Sequence, residues 1–404
     1  MTPSAKVCIA GGGPAGVMLG LLLARAGVEV TVLEKHEDFF RDFRGDTVHP
    51  STLNILDALG IREKFDAVPH KPLPRLDVVA NGVRVHAIDF TTLPPPNRML
   101  TLMPQWDLLD LLAATGKQHP TFDLRMRAEA VDVTRAADGR VNGVRVRRRD
   151  GGEDEIAADL VVAADGRHST VRDVLGFTPR AQGVPCDVLW FRLPYPDTDL
   201  PDTLAWISEE GMVITIPRPD YLQCGMIIPK GSFDEMREEG LVAFRERLAR
   251  AVPPLRPVVD QLGSLADVSL LSVQIDRLER WWSPGVLLIG DAAHAMSPAF
   301  GVGVNYAIQD AVAAARVLVP ALKSGDPAEI DAACVAVQRR RELPTLLMQR
   351  IQRGVHRTIA TGRGVRLLDN PPTRMQRIVM RVAIPIARPL MARLVGYGFR
   401  PERI

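Results

Sequence analysis

Apolar positions along the chain recur in three patterns, and each predicts a different kind of element. Unbroken short runs at Val7 to Ala10, Leu160 to Ala164 and Gly285 to Ile289 read as buried strands, the first two leading into turns of small residues. Strict alternation appears between Cys186 and Ile228, in VLWFRLPY, TLAWISEEGMVITIP and YLQCGMIIP, with turns at Glu210-Gly211 and Arg218-Pro219-Asp220. That texture predicts an antiparallel sheet and so a second domain. Residues 128–165 read as strand, turn, strand, turn, strand, and Arg145, Arg147 and Arg149 mark the middle strand as half-exposed. Helical spacing is found at Leu53, Leu56 and Leu59, with Pro50 or Ser51 at the start and Gly60 at the stop. It recurs around Gln105 to Gly116, through the charged stretch Phe233 to Ala251, and from Gln309 onward. Leu76 to Phe90 reads as strand turned at Asn81-Gly82, and Val268 to Asp276 as a further strand.

The first apolar run opens into Gly11-Gly12-Gly13-Pro14-Ala15-Gly16, then an apolar helix, then a strand ending at Glu34. This is G-x-G-x-x-G in its required setting of strand, tight turn and helix. Gly11 permits the turn, Gly13 lets backbone approach a pyrophosphate, and Gly16 lets helix and sheet close. The helix start offers N–H groups and a favourable dipole to the phosphates. Gly16, Gly20 and Ala24 continue a row of small residues toward the sheet. A carboxylate at Glu34 accepts from ribose hydroxyls and repels a 2′-phosphate, so the ligand read from this stretch alone is FAD or NAD.

Bulk properties narrow the setting. A chain of 404 residues is long enough for two lobes. Its net charge of +2 gives no argument for nucleic acid. Cys8, Cys186, Cys224 and Cys334 have neither metal-ligand nor C-x-x-C spacing, as expected of a protein in a reducing cytoplasm with no metal site. No signal peptide or uninterrupted membrane-spanning run is expected.

Two further motifs place an acid and a glycine just past a strand's carboxyl end, where open α/β sheets hold their ligands. One is Ala163-Ala164-Asp165-Gly166-Arg167-His168-Ser169-Thr170. The other is Gly290-Asp291-Ala292-Ala293-His294, followed by Pro298-Ala299-Phe300-Gly301-Val302-Gly303-Val304-Asn305. Asp291 suits a ribityl hydroxyl, and clustered N–H groups over Gly301 to Asn305 suit negative charge on a flavin pyrimidine ring. With the fingerprint, in this order and at these separations, the motifs resemble the class A FAD-dependent monooxygenases, the para-hydroxybenzoate hydroxylase-like family, over residues 6–320.

That resemblance implies an α/β fold: a glutathione-reductase-type Rossmann FAD-binding domain, an inserted mainly antiparallel β-sheet substrate domain, and C-terminal helices. The expected divisions are 1–67, 101–180 and 277–340 for the FAD-binding domain, 68–100 and 181–276 for the substrate-binding domain, and 341–404 for the helical segment. It implies FAD, NADH or NADPH as reductant, O2, and a C4a-hydroperoxyflavin that hydroxylates an apolar or aromatic small molecule. Carried over by position, Gly11, Gly13, Pro14, Ala15 and Gly16 hold pyrophosphate, Glu34 the adenosine ribose, and Lys35 follows as the basic neighbour. Arg44 belongs to the loop near the cofactor, Gln105 touches flavin from its helix start, and Val131 meets adenine. Asp165 and Gly166 match the motif linked to FAD and pyridine nucleotide. Gly290 and Asp291 with Pro298, Gly301, Val302, Gly303, Val304 and Asn305 surround the ribityl chain and the ring. No catalytic triad is expected, because the flavin carries the oxygen chemistry; Arg44 and Pro298 are the candidates to lie beside the reacting ring. His294 reads as structural and His49 as an ordinary loop residue.

The third motif has no basic residue in its loop, and no thioredoxin-like extension is expected after the helices. A W-x-W-x-I-P segment is missing, which makes halogenation the weaker reading. A flavin-dependent reductase or dehydrogenase of the same fold is the alternative enzyme, and a flavin-binding interaction protein the non-enzymatic one. Substrate residues are expected on the second domain's sheet, from alternation: Trp190 and Arg192, Met212 and Ile214, and Cys224 and Met226. Together these suggest an apolar pocket. The tail from Pro372 is apolar and arginine-rich, a composition that can lie on a membrane surface but more often packs on its own domain or a second subunit. Monomer and homodimer are both open.

Overall fold

The three unbroken apolar runs become neighbouring strands. In a computed structural model describing residues 5–40, 47–148, 151–197, 205–360 and 372–404, Val7–Ala10 lies parallel between Leu160–Ala163 and Val30–Glu34. Val286–Leu288 extends the sheet beyond Leu160–Ala163, and Phe122–Met126 beyond Val30–Glu34, both parallel. Trp282–Ser283 closes one edge antiparallel. The innermost strands lack a polar side because both faces are covered. Val7 and Ile9 pack with the helices Pro14–Arg25 and Gly303–Ser324. Cys8 and Ala10 pack under a three-stranded meander through Val133, Val141 and Val144.

Small residues let these layers approach. A Cβ at Gly16 would stand 1.9 Å from the Gly11 carbonyl oxygen, and one at Gly20 would stand 2.6 Å from Val32 Cγ2. The small-residue row is therefore a packing requirement of the helix–sheet contact.

The meander contains one strand more than the sequence pattern predicts. Glu129–Arg135, Val141–Arg147 and Glu153–Ala157 pair antiparallel before the chain enters Leu160–Ala163. Charge hides the extra strand from a hydrophobicity reading: Arg145 stands opposite Glu155, and Arg147 opposite Glu153. Such exposed pairs add little stability but oppose a register slip. Arg149 lies outside the described residues.

The alternating strands form a seven-stranded sheet in the order Ser269–Leu271, Cys186–Leu193, Leu222–Pro229, Gly211–Pro217, Ala205–Ser208, Arg75–Ala80, Val83–Asp89. Arg75–Ala80 and Val83–Asp89 meet at Asn81 and Gly82, both left-handed (φ 48° and 78°), the geometry that Asn-Gly favours. One face, through Phe191, Val213 and Met226, packs on the helix Phe233–Ala251. The other, through Val188, Trp190 and Ile216, packs toward Ala392 and Val395 of the helix Ile384–Tyr397. The strand expected over Val268 to Asp276 is broken. After Leu271 the chain leaves its ladder, because the Val273 N–H donates to the buried Asp187 carboxylate (3.0 Å), which Lys230 also holds (2.8 Å). Asp276–Arg277 then pairs with Arg180–Ala181.

Past the sheet the chain is helical. Pro327–Ala360 is one helix, so the division expected between 340 and 341 falls inside it. Gly303–Ser324 is apolar and long enough to cross a membrane, but it is the interior helix against which Pro14–Arg25 and Pro327–Ala360 pack. Its polar residues explain its place. The fully buried Asp310 accepts from Gly290 N–H (3.1 Å), His294 Nε2 (2.5 Å) and Arg341 Nε (2.8 Å). Burial alone would raise its carboxyl, but His294 and Arg341 outweigh this and hold it below the usual range. Arg341 continues to the buried Glu402 (3.6 Å), which Arg340 also holds. Asp310→Ala would leave Arg341 buried with its nearest anion gone. It should destabilise the fold by about 3–5 kcal/mol, read as a lowered denaturation midpoint; a loss below about 1 kcal/mol would contradict this account of the core.

Candidate functional site

The fingerprint turn is shaped by what its glycines exclude. Gly11 has φ +107°, and a Cβ there would lie 2.3 Å from the Ala164 carbonyl oxygen, so this position admits glycine alone. Gly13 is different. Its φ is −74° and a Cβ would meet nothing within 4 Å. Open space over Gly13, next to crowded Gly11 and Gly16, is the cradle a pyrophosphate needs. Pro14 begins the helix, where its missing N–H costs nothing. Ala15 touches the third motif, as a Cβ at Gly290 would stand 3.2 Å from its methyl. At the end of the second strand, the Glu34 carboxylate accepts from Gly12 N–H (3.2 Å) and His36 N–H (3.0 Å), which seats it against the turn. Lys35 is exposed and lines an open cleft with Arg127, Arg147 and Arg148.

The second and third motifs meet beside this turn. Asp165 accepts from Val171 N–H through Oδ2 (3.1 Å), while its buried Oδ1 has no donor. Burial raises its pKa, against the hydrogen bonds from Ser169 and Val171. Gly166 is left-handed (φ 84°). Arg167 donates to Asp291 (3.2 Å), and Arg172 reaches the carbonyls of Arg167 (2.7 Å) and Ala292 (3.5 Å). Gly290 is also left-handed, with its N–H on Asp310. Three ends of parallel strands, remote in sequence, thus share one crevice.

The loop after Pro298 turns through two successive left-handed residues, Phe300 (φ 65°) and Gly301 (φ 63°). It delivers the N–H groups of Gly303, Val304 and Asn305 to the first turn of a 22-residue helix, where N–H groups have no intrahelical acceptor. Gly301 cannot carry a side chain, since a Cβ would stand 2.3 Å from Thr47 Oγ1. Thr47 donates to the Gly301 carbonyl (2.8 Å). The ring of His49 lies between that carbonyl (3.1 Å) and the Val395 carbonyl (2.8 Å), and as a neutral imidazole it donates to one of the two. Asn305 Oδ1 accepts from Ser51 (2.6 Å) and Thr52 (2.9 Å), and Nδ2 is a buried donor with no partner among the described residues. A buried orphan donor beside a helix N-terminus fits the electron-rich edge of a flavin.

On its other side the loop is tied to the long helix Pro327–Ala360. Gln352 accepts from Ser297 N–H (3.2 Å) and donates to the carbonyls of Ser297 (2.9 Å) and Ala299 (3.0 Å). Ser297 Oγ also meets His356 Nε2, whose Nδ1 lies 3.0 Å from the Cys186 sulfur. Burial pulls the pKa of His49 down to about 4 despite its two carbonyl neighbours, does the same to His356, and pushes the Cys186 thiol up to about 11. These groups are a neutral brace.

Arg44 lies outside the described residues. Gln105 opens the helix Gln105–Gly116, and Val131 is half-buried in its strand. Trp190 and Ile214 lie on the sheet face that packs with Phe300 of the loop. Met212 shares a side with them, through Ile227. Cys224 and Met226 do not: they sit fully buried under the helix Phe233–Ala251, on the opposite face, and are withdrawn from the pocket. Alternation gives each strand's two faces but not which face of one strand matches that of the next. Arg192 stacks over Tyr221 (4.7 Å) at an exposed position. His294 is structural, as expected, held by Asp310 and against the Trp281 ring (4.8 Å). His49 is no ordinary loop residue. The brace residues were missed although one signal was present: Thr345, Gln349, Gln352 and His356 recur at helical spacing, and all four are buried.

Comparison with known proteins agrees with this geometry. The family described as FAD binding domain matches residues 4–350. The chain is 37% identical over 340 residues to 6-methylpretetramide 4-monooxygenase of Streptomyces rimosus, covering 83% of this chain and 80% of that protein. It is 28% identical over 343 residues to protoasukamycin 4-monooxygenase of Streptomyces nodosus subsp. asukaensis, covering 80% and 82%. Its fold resembles that of PqsL, a probable FAD-dependent monooxygenase from Pseudomonas aeruginosa, with a TM-score of 0.75 at 22% identity, covering 89% of this chain and 98% of that one.

Two outcomes follow from the crevice. Gly13→Val should fold with a midpoint near the parent's, because a Cβ there meets no atom within 4 Å and the backbone is not left-handed, yet lose FAD. Stoichiometric flavin in the purified variant would refute the cradle. The second concerns pH. His49 and His356 are held neutral in the fold with lowered pKa values, so protonation favours the unfolded chain. Their contribution is complete above about pH 6.5 and lost as pH falls toward 4, on the order of 3 kcal/mol each. Thermal denaturation from pH 7 to 4.5 should show a steep decline that His49→Gln makes shallower; an unchanged slope would remove His49 from the account.

Proposed function

The chain belongs to the FAD-binding-domain family of flavin-dependent aromatic monooxygenases, and on that footing we propose that it hydroxylates an apolar, fused aromatic compound, consuming O2 and NADH or NADPH. The observation that carries this reading is the apolar cluster that joins Phe300 of the loop to Trp190, Ile214 and Ile216 of the sheet. A flat apolar ligand lying on that sheet face abuts the loop where the flavin ring is expected. The substrate printed in the name of the 37% identical relative, 6-methylpretetramide, supports a polyketide-type aromatic.

FAD, when bound, would supply the activation of O2 and the transfer of one oxygen atom to the ring. The chain's own residues bind and position. Gly11, Gly13, Pro14, Ala15 and Gly16 hold the pyrophosphate, Glu34 the adenosine ribose, and Asp291 the ribityl chain. N–H groups from Gly303 to Asn305, with Asn305 Nδ2, receive negative charge on the pyrimidine edge, the Gly301 N–H being taken by the Pro298 carbonyl (2.9 Å). Thr47, His49 and Gln352 fix the loop so that those donors do not reorganise during turnover. The apolar wall keeps water from the reacting atoms, and Ile384–Tyr397, which packs Ala392 and Val395 into the same cluster, covers it.

The test is turnover by the FAD-loaded protein with a panel of polycyclic phenols and polyketide-like aromatics. The expected result is faster NADH or NADPH oxidation with at least one compound, and a product carrying one atom from 18O2. Product formation at the same rate without oxygen would point instead to a flavin-dependent reductase.

A further inference from the structure

On the sheet face that carries the apolar cluster, two side chains are built as hydrogen-bond donors with no acceptor. Gln223 lies opposite Ile216 on one neighbouring strand and opposite Arg192 on the other, so its side chain points to the Trp190 side. It is 2% exposed. Its amide orientation is fixed by chemistry. Arg218, itself buried, sends Nε (3.1 Å) and Nη2 (2.9 Å) to one amide atom, and since a guanidinium only donates, that atom is Oε1. Nε2 therefore faces away from Arg218, and it is a buried donor with no partner. Trp190 stands diagonally across from Gln223, opposite Gly225. Its ring covers Gly225, where a Cβ would lie 2.8 Å from Trp190 Cζ3. The indole Nε1–H is also buried and unpartnered.

A fold does not leave two buried donors unpaired on one sheet face without a use for them, because each loses its water partners on folding. Packing needs are met without the polar atoms. A leucine at position 223 would fill the site, and a phenylalanine would cover Gly225. Arg218 sharpens the donor further: by pulling charge onto Oε1 it polarises the amide and strengthens the Nε2–H bond to an acceptor, most of all to an anionic one.

Building on the reading of this face as the substrate wall, we infer that Trp190 Nε1–H and Gln223 Nε2–H form a two-donor subsite for an oxygen-bearing edge of the aromatic ligand. The matching edge is a ring or acyl carbonyl next to a phenolate or enolate oxygen. The subsite selects against hydrocarbons and against edges that present N–H donors, which would leave donor facing donor. Apolar contacts hold the plane of the ligand, and the donor pair sets its direction relative to the loop at Phe300. The two residues act by positioning and specificity.

The test compares two ligands of similar shape on the oxidised, FAD-loaded protein, followed by flavin absorbance. The probes are 2-acetyl-1-naphthol, which presents carbonyl and phenol oxygens, and 2-ethylnaphthalene, which presents neither. The parent protein should bind the acetylnaphthol at least tenfold more tightly. Trp190→Phe keeps the ring over Gly225 and removes only the donor. Gln223→Glu keeps an oxygen on Arg218 and replaces the donor by an acceptor. Each should cut the acetylnaphthol preference fivefold or more while leaving FAD content and the Kd for ethylnaphthalene unchanged. A purely structural role would weaken both ligands alike or lower FAD content. Retention of the full preference in both variants, or a parent that binds the two ligands equally or binds neither, overturns the subsite. Failure of the parent to retain FAD would overturn the monooxygenase reading itself, so the two failures are distinct.

Discussion

Asp310 holds the structure's functional end together. One fully buried carboxylate accepts from the backbone of Gly290, from His294 and from Arg341, and so joins a turn, a motif histidine and a helix some thirty residues on. A lone carboxylate at that depth would be costly, and three donors with a guanidinium charge are what make it stable. The consequence is positional. With Gly290 pinned, Asp291 emerges at the crevice beside Ala15 and Arg167, and the loop that follows begins from a fixed point.

Rigidity then spreads from that point by backbone contacts. The Gly301 carbonyl is held by Thr47 with the His49 ring against it, and the carbonyls of Ser297 and Ala299 by Gln352. Side chains that act on main-chain atoms leave the loop's own side chains free for packing, and the N–H groups of Gly303, Val304 and Asn305 open at the helix start. This suits a flavin site, where the cofactor carries the reactive chemistry and the protein supplies orientation and a dry wall. The same division appears in the second sheet. Its Phe191 and Met226 side is ordinary core against a helix, and its Trp190 side combines an apolar floor with buried donors.

Charge and polarity, rather than hydrophobicity, account for the places where sequence patterns fall short. Glu153–Ala157 is a strand because its acids face Arg145 and Arg147, a pairing that no apolar period announces. The ladder expected to reach Asp276 breaks where the Asp187 carboxylate takes the Val273 N–H. His49 gives no local signal at all, since its two carbonyl partners are some 250 and 350 residues away.

By itself the sequence determined the elements whose causes are local. The fingerprint turn follows from glycines that no other residue can replace at Gly11 and Gly16. The Asn81-Gly82 hairpin follows from a left-handed preference, the helix at Pro50 from its proline start and the left-handed Gly60 at its stop, and the helix at Gln105 from period. It also determined the cofactor class, because three motifs at strand ends fit one family. Only the tertiary structure decided which sheet face meets the loop, and hence that Trp190 packs on the side of Phe300 while Cys224 and Met226 pack under the helix Phe233–Ala251. Alternation has a period of two and no sign; the sign comes from which helix covers which face. Only the fold, likewise, could show that Gln223 is turned by Arg218 across the short turn between them, and that His49 lies against the Gly301 carbonyl, a contact between distant residues that leaves no trace in the spacing of either.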